Sequence, residues 1–439
     1  MKSASNVRTF TLSSGLPVLS MHRPTLHQAS LAIFLRVGSR YEELPDNGIS
    51  HFLEHMMYRG TSSMATSHDQ ALAFEQLGGT LYAATATDHG LMALSLPPET
   101  LLDSLPLLGE VMTTPRFSSI EIERRIVQEE ILESLDDEGR KVDPDDLSRE
   151  VLFEGHSLGF PIIGTPETVK GFDEPRLRAW HAAHYVVENS VLAVSGAYDE
   201  DAVLAGLERA LSGLPHGTRR AAAAAPLPRV GQGPRFHYVD SDGSQTDVRL
   251  AFHAPGDHDA SEPATEVLLR VIDDGMSTRL YERLCDEKGL SYDVSAAYEA
   301  FEDAGVLDFA AETQHARTAD VTDEMLKLAA ELVSHGPTDA EIDKIRKRAR
   351  WHTRAMLDDA SGLAQFLGLA HLATVAPTPD ARCEELCAVT REQVRDAAAR
   401  IFKPDHLAAI AVGVLTRAEQ KRVEKVVRAF RLAPLISAG

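Results

Sequence analysis

The sequence predicts an α+β fold: two similar domains, each a mostly antiparallel sheet with helices packed on it, joined by a linker. Three observations carry this expectation. Strand-like and helix-like segments mix without the regular βαβ alternation of a parallel sheet. Residues 219–234 have linker composition near the middle of the 439 residues, with an alanine run at 221–225 and Pro226, Pro228, Gly231, Gly233 and Pro234 close behind. The segments on either side of this seam recur in the same order at nearly the same offset, as a duplication would leave them. The expected division is therefore 1–218, 219–234 and 235–439.

Taken in order, residues 11–18 read as an antiparallel hairpin. Residues 31–35 form an early apolar strand. Helical segments follow, then a late apolar strand at 190–196 and an Ala/Leu-rich helix. In the second half, 248–252 takes the place of the early strand. Residues 407–413 take the place of the late one, again with a helix behind it.

Composition narrows the function classes. With 44% hydrophobic and 25% charged residues, the chain has the balance of a globular protein and not of a disordered, collagen-like or coiled-coil one. No stretch approaches the ~18 consecutive apolar residues of a membrane span. The first eight residues lack the apolar core of a signal peptide, so a cytoplasmic location is expected. Forty-four basic against sixty-six acidic residues leave a net charge of −22, which repels phosphate backbones and anionic lipid. Neither nucleic acid nor membrane is expected as a partner. Cys285, Cys383 and Cys387 are too few for a disulfide framework and suit a reducing compartment. Cys383 and Cys387 stand one helical turn apart and read as core thiols.

The chemistry concentrates in residues 46–60. Asp46 or Asn47 can cap a helix start, and Arg59-Gly60 supplies an end signal. Between them Ile49, Phe52, Leu53, Met56 and Met57 leave little polar face, so the helix should be buried. His51 and His55, at i and i+4, project from one face with Glu54 beside them. Two imidazoles and a carboxylate in an apolar setting are costly unless something satisfies them. The pattern is HxxEH, the inversion of the HExxH zinc helix. Two histidines suit Zn²⁺, and a glutamate next to a metal-bound water can act as its base. The other reading is a buried helix with a chance cluster of polar residues.

Catalytic zinc usually takes three protein ligands, and the acidic helix at 121–133 offers the third. At 100° per residue, Glu123 and Glu130 fall within roughly 20° of each other. They lie between Ile126 and Val127 in an apolar face, whereas Glu129 points toward its border. Glu130 is assigned as the ligand. Glu123 is assigned as a carboxylate that steadies a ligand or the bound water.

These segments closely resemble the pitrilysin family of inverted-motif zinc peptidases. The resemblance runs through 37–42, 47–56, Gly60-Thr61, the 123–130 helix, 164–167, His184-Tyr185 with Asn189, and 275–281 through 289–292. Length and a single linker are similar to the short branch that holds mitochondrial processing peptidase and its bacterial relatives. The resemblance implies two similar α+β halves, zinc in the first, and a partly enclosed chamber made with further domains. It implies a zinc-dependent endopeptidase with His51, His55 and Glu130 on the metal and Glu54 as the base. Aligning the early strands places Leu268, Val271 and Ile272 near the positions of His51, Glu54 and His55, so no metal site is expected in the second half.

Substrate contacts are implied as well. Residues 78–88 resemble the family segment whose edge strand pairs with an extended peptide, which points to Ala83, Ala84 and Thr85. Tyr82 stands where the family commonly has Asn. Tyr292 matches a substrate-reaching tyrosine, but its usual partner arginine, seven residues earlier, is Cys285 here. A thiol cannot replace a guanidinium, unless Arg279 or Arg283 compensates. The expectation is therefore the zinc-bearing subunit of a heterodimer with a zinc-free homologous partner, with a homodimer as the alternative. A non-catalytic core or partner subunit of the same fold, and an unrelated structural zinc protein, are the competing readings.

Overall fold

The computed structural model describes residues 6–432. Among these residues, eleven strands form two sheets. The first contains β1 (Arg8–Thr11), β2 (Pro17–His22), β3 (Ala29–Leu35), β4 (Leu81–Thr85), β5 (Gly90–Leu96) and β6 (Ser190–Gly196), in the order β1-β2-β6-β3-β5-β4. The second contains β7 (Arg235–Val239), β8 (Thr246–Ala254), β9 (Ser291–Ala300), β10 (Gly305–Thr313) and β11 (Leu407–Val412), in the order β7-β11-β8-β10-β9. Without β1, the two orders superpose strand for strand. The pairing senses agree too: β2 with β6 and β7 with β11 are parallel, and every other pair is antiparallel. The duplication and the α+β class read from the sequence are both present. The 11–18 hairpin closes β1 on β2 with Thr11 opposite Pro17.

All seven residues of β3 and of β6 are buried, as are all six of β11. Successive side chains on a strand point to opposite faces, so such strands need cover on both sides. That cover comes from elsewhere in the chain. Packing divides the molecule into two compact units, one built from residues up to Ile131 with Phe160–Ala223 and Trp351–Arg382, the other from Leu132–Gly159, Ala224–Arg350 and residues from Cys383 onward. Within the first unit, Leu363, Ala364 and Leu367 of helix Ala360–Ala373 pack on Ala32, Phe34, Val191 and Ala193. The approach is close, since a Cβ on Gly368 would stand 2.4 Å from the Phe34 ring. Within the second unit, Val248, Leu250 and Phe252 join the main core, while Ala251 and Ala408 face Leu152 and Phe153 at the end of helix Pro144–Leu152. Each sheet thus takes one helix from the sequence of the other half. A single cut at the linker does not anticipate this exchange.

Leu268, Val271 and Ile272 lie on helix Glu262–Ile272 and are buried in the core of the second unit. The cysteines correct an expectation. Cys383 and Cys387 sit on helix Pro379–Ala388 half-buried and outside the core, and Cys285 is half-buried as well.

Candidate metal centre

The HxxEH helix spans Ile49–Met56, and Ile49, Phe52, Leu53, Met56 and Met57 are fully buried, as their pattern predicts. Its start differs from expectation. Gly48 is the N-cap, at φ 90°, and makes no side-chain cap of its own. Asp46 is held by Arg176 at 2.8 Å, and the Asn47 amide donates to the Pro161 carbonyl at 2.8 Å. The cap is supplied by Glu42. Its buried carboxylate accepts from the Gly48 N–H at 2.8 Å, the Ser50 N–H at 2.9 Å and the Asn47 amide at 3.0 Å. Burial pushes its pKa up, and these donors oppose the rise.

Gly48 and Gly164 meet back to back. A Cβ on Gly164, at φ 80°, would lie 2.7 Å from the Asn47 carbonyl oxygen and 2.9 Å from Gly48 Cα. Gly164→Ala is therefore expected to cost about 2 kcal/mol or more, from backbone strain alone before the clash is counted. Thermal unfolding of the variant beside the parent checks this, and an unchanged midpoint would refute it.

His51 and His55 face the Glu130 carboxylate, which reaches them from helix Ile120–Leu132. His51 Nε2 lies 3.5 Å from Glu130 Oε1, and His55 Nε2 lies 3.5 Å from Glu130 Oε2. Donor atoms of the three residues fall within 4.8 Å of one another, and among the described residues no other His, Cys, Asp or Glu trio does so. The separations are long for hydrogen bonds. They match the edge of a zinc tetrahedron, because ligand bonds of about 2.0–2.1 Å set ligand atoms roughly 3.3–3.4 Å apart. Burial, and then the neighbouring His55, lower the His51 pKa to about 3, so its imidazole stays neutral and keeps a lone pair to give. The donor set fits a zinc ion.

Glu123 stands behind His55. One carboxylate oxygen is 3.1 Å from His55 Nδ1, and the other pairs with Arg59, which lies just past the end of the HxxEH helix. The residue steadied by Glu123 is thus an imidazole. Glu123 is buried together with Val127 and Ile131. Ile126, however, is 44% exposed, so the apolar face expected around it is shifted toward Val127. Arg59 was not legible as part of the site, since in sequence it marks only the helix end.

Glu54, on the same helix, is half-buried and lies within electrostatic reach of His55 and Glu130. Its Oε2 accepts a hydrogen bond from the Thr85 hydroxyl at 2.7 Å. Burial raises its pKa, the Thr85 hydroxyl and His55 oppose this, and the Glu130 charge adds to the rise. Thr85 ends β4, at one end of the strand order of the first sheet, and among the described residues β4 pairs with β5 alone, leaving its other edge open. Ala83, Ala84 and Thr85 are half-buried there, while Tyr82 is 55% exposed. Tyr58, from the same turn as Arg59, is pushed up to about 12 by burial, and the Ala83 N–H opposes that rise.

Tyr292 belongs to the second unit, at the start of β9, and is 94% exposed. Its carbonyl oxygen lies 3.9 Å from Cys285 Sγ. Arg279 is clamped by Glu341 through two 2.7 Å bonds, and Arg283 pairs with Glu331. Both arginines that could stand in for the missing one are already engaged.

Comparison with known proteins places this arrangement. Residues 17–166 match the family described as insulinase (peptidase family M16), and residues 172–349 match the peptidase M16 inactive domain. An uncharacterized zinc protease of Mycobacterium leprae is 32% identical over 374 residues, covering 84% of this chain and 83% of its own length. The chain belongs to peptidase family M16. A second relative, an uncharacterized zinc protease of Streptomyces coelicolor, is 28% identical over 421 residues, covering 94% of this M16 chain and 88% of its own length. Among solved structures, the peptidase M16 inactive domain from Pseudomonas fluorescens has a TM-score of 0.85 at 19% identity, covering 94% of the M16 chain and all of its own. A protease from Helicobacter pylori has a TM-score of 0.83 at 19% identity, covering 93% and 100%. These two likenesses speak to the fold of this M16 chain. The pitrilysin-type resemblance read from its motifs is borne out.

Proposed function

We propose that this M16 chain is a zinc-dependent endopeptidase that cleaves peptides or unfolded segments. The observation that carries the reading is the convergence of His51, His55 and Glu130 at the spacing of zinc ligands. These three residues would hold the ion, with Glu123 and Arg59 fixing the ring of His55. Bound zinc lowers the pKa of water toward neutrality and polarises a carbonyl. Glu54 takes the proton of the attacking water and delivers it to the leaving amine. The open edge of β4 offers Ala83, Ala84 and Thr85 for main-chain pairing with an extended substrate, which tolerates many side chains.

The test joins metal content to activity. The purified chain is expected to hold zinc and cleave an unstructured peptide, and to lose both when Glu130 is changed to Gln. A zinc-loaded Glu130→Gln protein would overturn the ligand assignment. Glu123→Gln should weaken zinc binding by about 10- to 100-fold, because a steadying carboxylate behind a ligand is worth that much. Competition with a chromogenic chelator reads the change, and parental affinity would remove Glu123 from the site.

A second subunit completes the proposal. Arg279 and Arg283 are tied to carboxylates, and Cys285 cannot supply their chemistry. A zinc-free homologous partner with an intact arginine would provide what this chain lacks, and a homodimer is the alternative. Activity that rises on adding such a partner supports the pairing. Full activity from the chain alone, unchanged by Tyr292→Phe, counts against it. The three unpaired cysteines support a reducing, cytoplasmic location, and among the described residues no helix is long and apolar enough to cross a membrane.

A further inference from the structure

We infer that Thr85 is a positioning residue for Glu54, so that the strand offered to substrate also aims the base. The inference rests on the peptidase reading above and extends it to a residue outside the HxxEH and Glu130 constellation. Thr85 is the one side chain among the described residues that hydrogen-bonds the Glu54 carboxylate. A hydroxyl donating to an ionised carboxylate at 2.7 Å is a charge-assisted bond, stronger than a neutral one.

The need for such an anchor follows from the helix. Phe52, Leu53, Met56 and Met57 are packed in the core, and His51 and His55 converge on Glu130. Glu54 has no such lock. Its long side chain leaves the helix half-buried, and a free glutamate spreads over many rotamers. Anchoring one oxygen to Thr85 leaves the rest of the carboxylate in a defined place to receive a proton. Hydroxyl and helix are joined through β4, whose register with β5 sets Thr85 opposite Gly90. Any peptide aligned along β4 is therefore aligned to the base as well. A substrate displaced by two residues along the edge would keep its main-chain pairing and lose its alignment with Glu54.

Thr85→Val keeps the shape and removes the hydroxyl, whereas Thr85→Ser keeps the hydroxyl and removes a methyl. With an unstructured peptide, Thr85→Val is expected to lower kcat by about 10- to 100-fold, the range expected from misplacing a catalytic group by about 1 Å. KM should stay within about twofold and zinc content at the parental level, because neither ground-state pairing nor the ligands are touched. Thr85→Ser should recover kcat to within about threefold of the parent, since its hydroxyl makes the same bond. Crystal structures of the metal-free parent and Thr85→Val give a readout besides activity, with the Glu54 carboxylate expected to leave its place only in the variant. Parental kcat in Thr85→Val, equal loss in Thr85→Ser, or an unmoved Glu54 would each overturn the assignment. If the parent itself cleaves no peptide, the peptidase reading falls, and the crystal comparison still decides what Thr85 does.

Discussion

Glu54→Gln is expected to leave zinc in place and to remove peptide hydrolysis. Glutamine matches the shape of the side chain and can still accept the Thr85 hydroxyl, so the helix and its two histidines are undisturbed. What it cannot do is hold a proton between the attacking water and the leaving amine. General acid–base groups contribute about 10²–10⁴-fold, and here one residue would serve both halves of the transfer. The expected loss in kcat therefore lies near the upper end of that range. Metal analysis of the same preparation separates this outcome from a simple loss of the ion. A zinc-loaded Glu54→Gln protein that cleaves at the parental rate would sink the assignment.

Glu42→Ala is expected to be the most destabilising single change near the site. Three donors converge on its buried carboxylate: two backbone N–H groups at the start of the HxxEH helix and the Asn47 amide. Each buried donor left without an acceptor costs about 1–3 kcal/mol. A total of about 4 kcal/mol follows, which lowers the unfolding midpoint by roughly 8–16 °C for a unit of this size. Glu42→Gln keeps one acceptor oxygen and should fall between variant and parent. Calorimetry of the three proteins orders them, and a Glu42→Ala midpoint within about 2 °C of the parent would show that the cap is dispensable. Loss of the cap should also loosen zinc, since the proposed ligands His51 and His55 ride on the helix that Glu42 starts.

What the sequence revealed follows from how local each signal is. The strands at 31–35, 190–196 and 407–413 were legible because a strand buried on both faces carries a mostly apolar run, and 248–252 because Val248, Leu250 and Phe252 alternate toward the core. His51 and His55 were legible because i and i+4 share a helix face whatever surrounds it. Glu130 followed from the angular position of Glu123. Features set by distant packing were not legible. The cap on the HxxEH helix comes from Glu42, because Asp46 and Asn47 are drawn off by Arg176 and the Pro161 carbonyl. Ile126 is as apolar as Val127, and only the placement of helix Ile120–Leu132 decides which of them is buried. The Thr85 hydroxyl reaches Glu54 across 31 positions of chain, a contact with no local signature. Cys383 and Cys387 have helical spacing that is equally compatible with core and rim.

The helix exchange bears on how the protein is made. Synthesis is vectorial, and domains begin to fold as they leave the ribosome. Every strand of the first sheet has been translated by Gly196, yet helix Ala360–Ala373, which covers Phe34 and Val191, is still more than 160 codons away. Through that interval the nascent chain carries an apolar sheet face open to water, the kind of surface chaperones bind and aggregates grow from. A fragment ending at the linker would own His51, His55, Glu54 and Glu130 and still be an unfinished half. The candidate metal centre is encoded early, and the helix that dries the sheet beside it is translated long after.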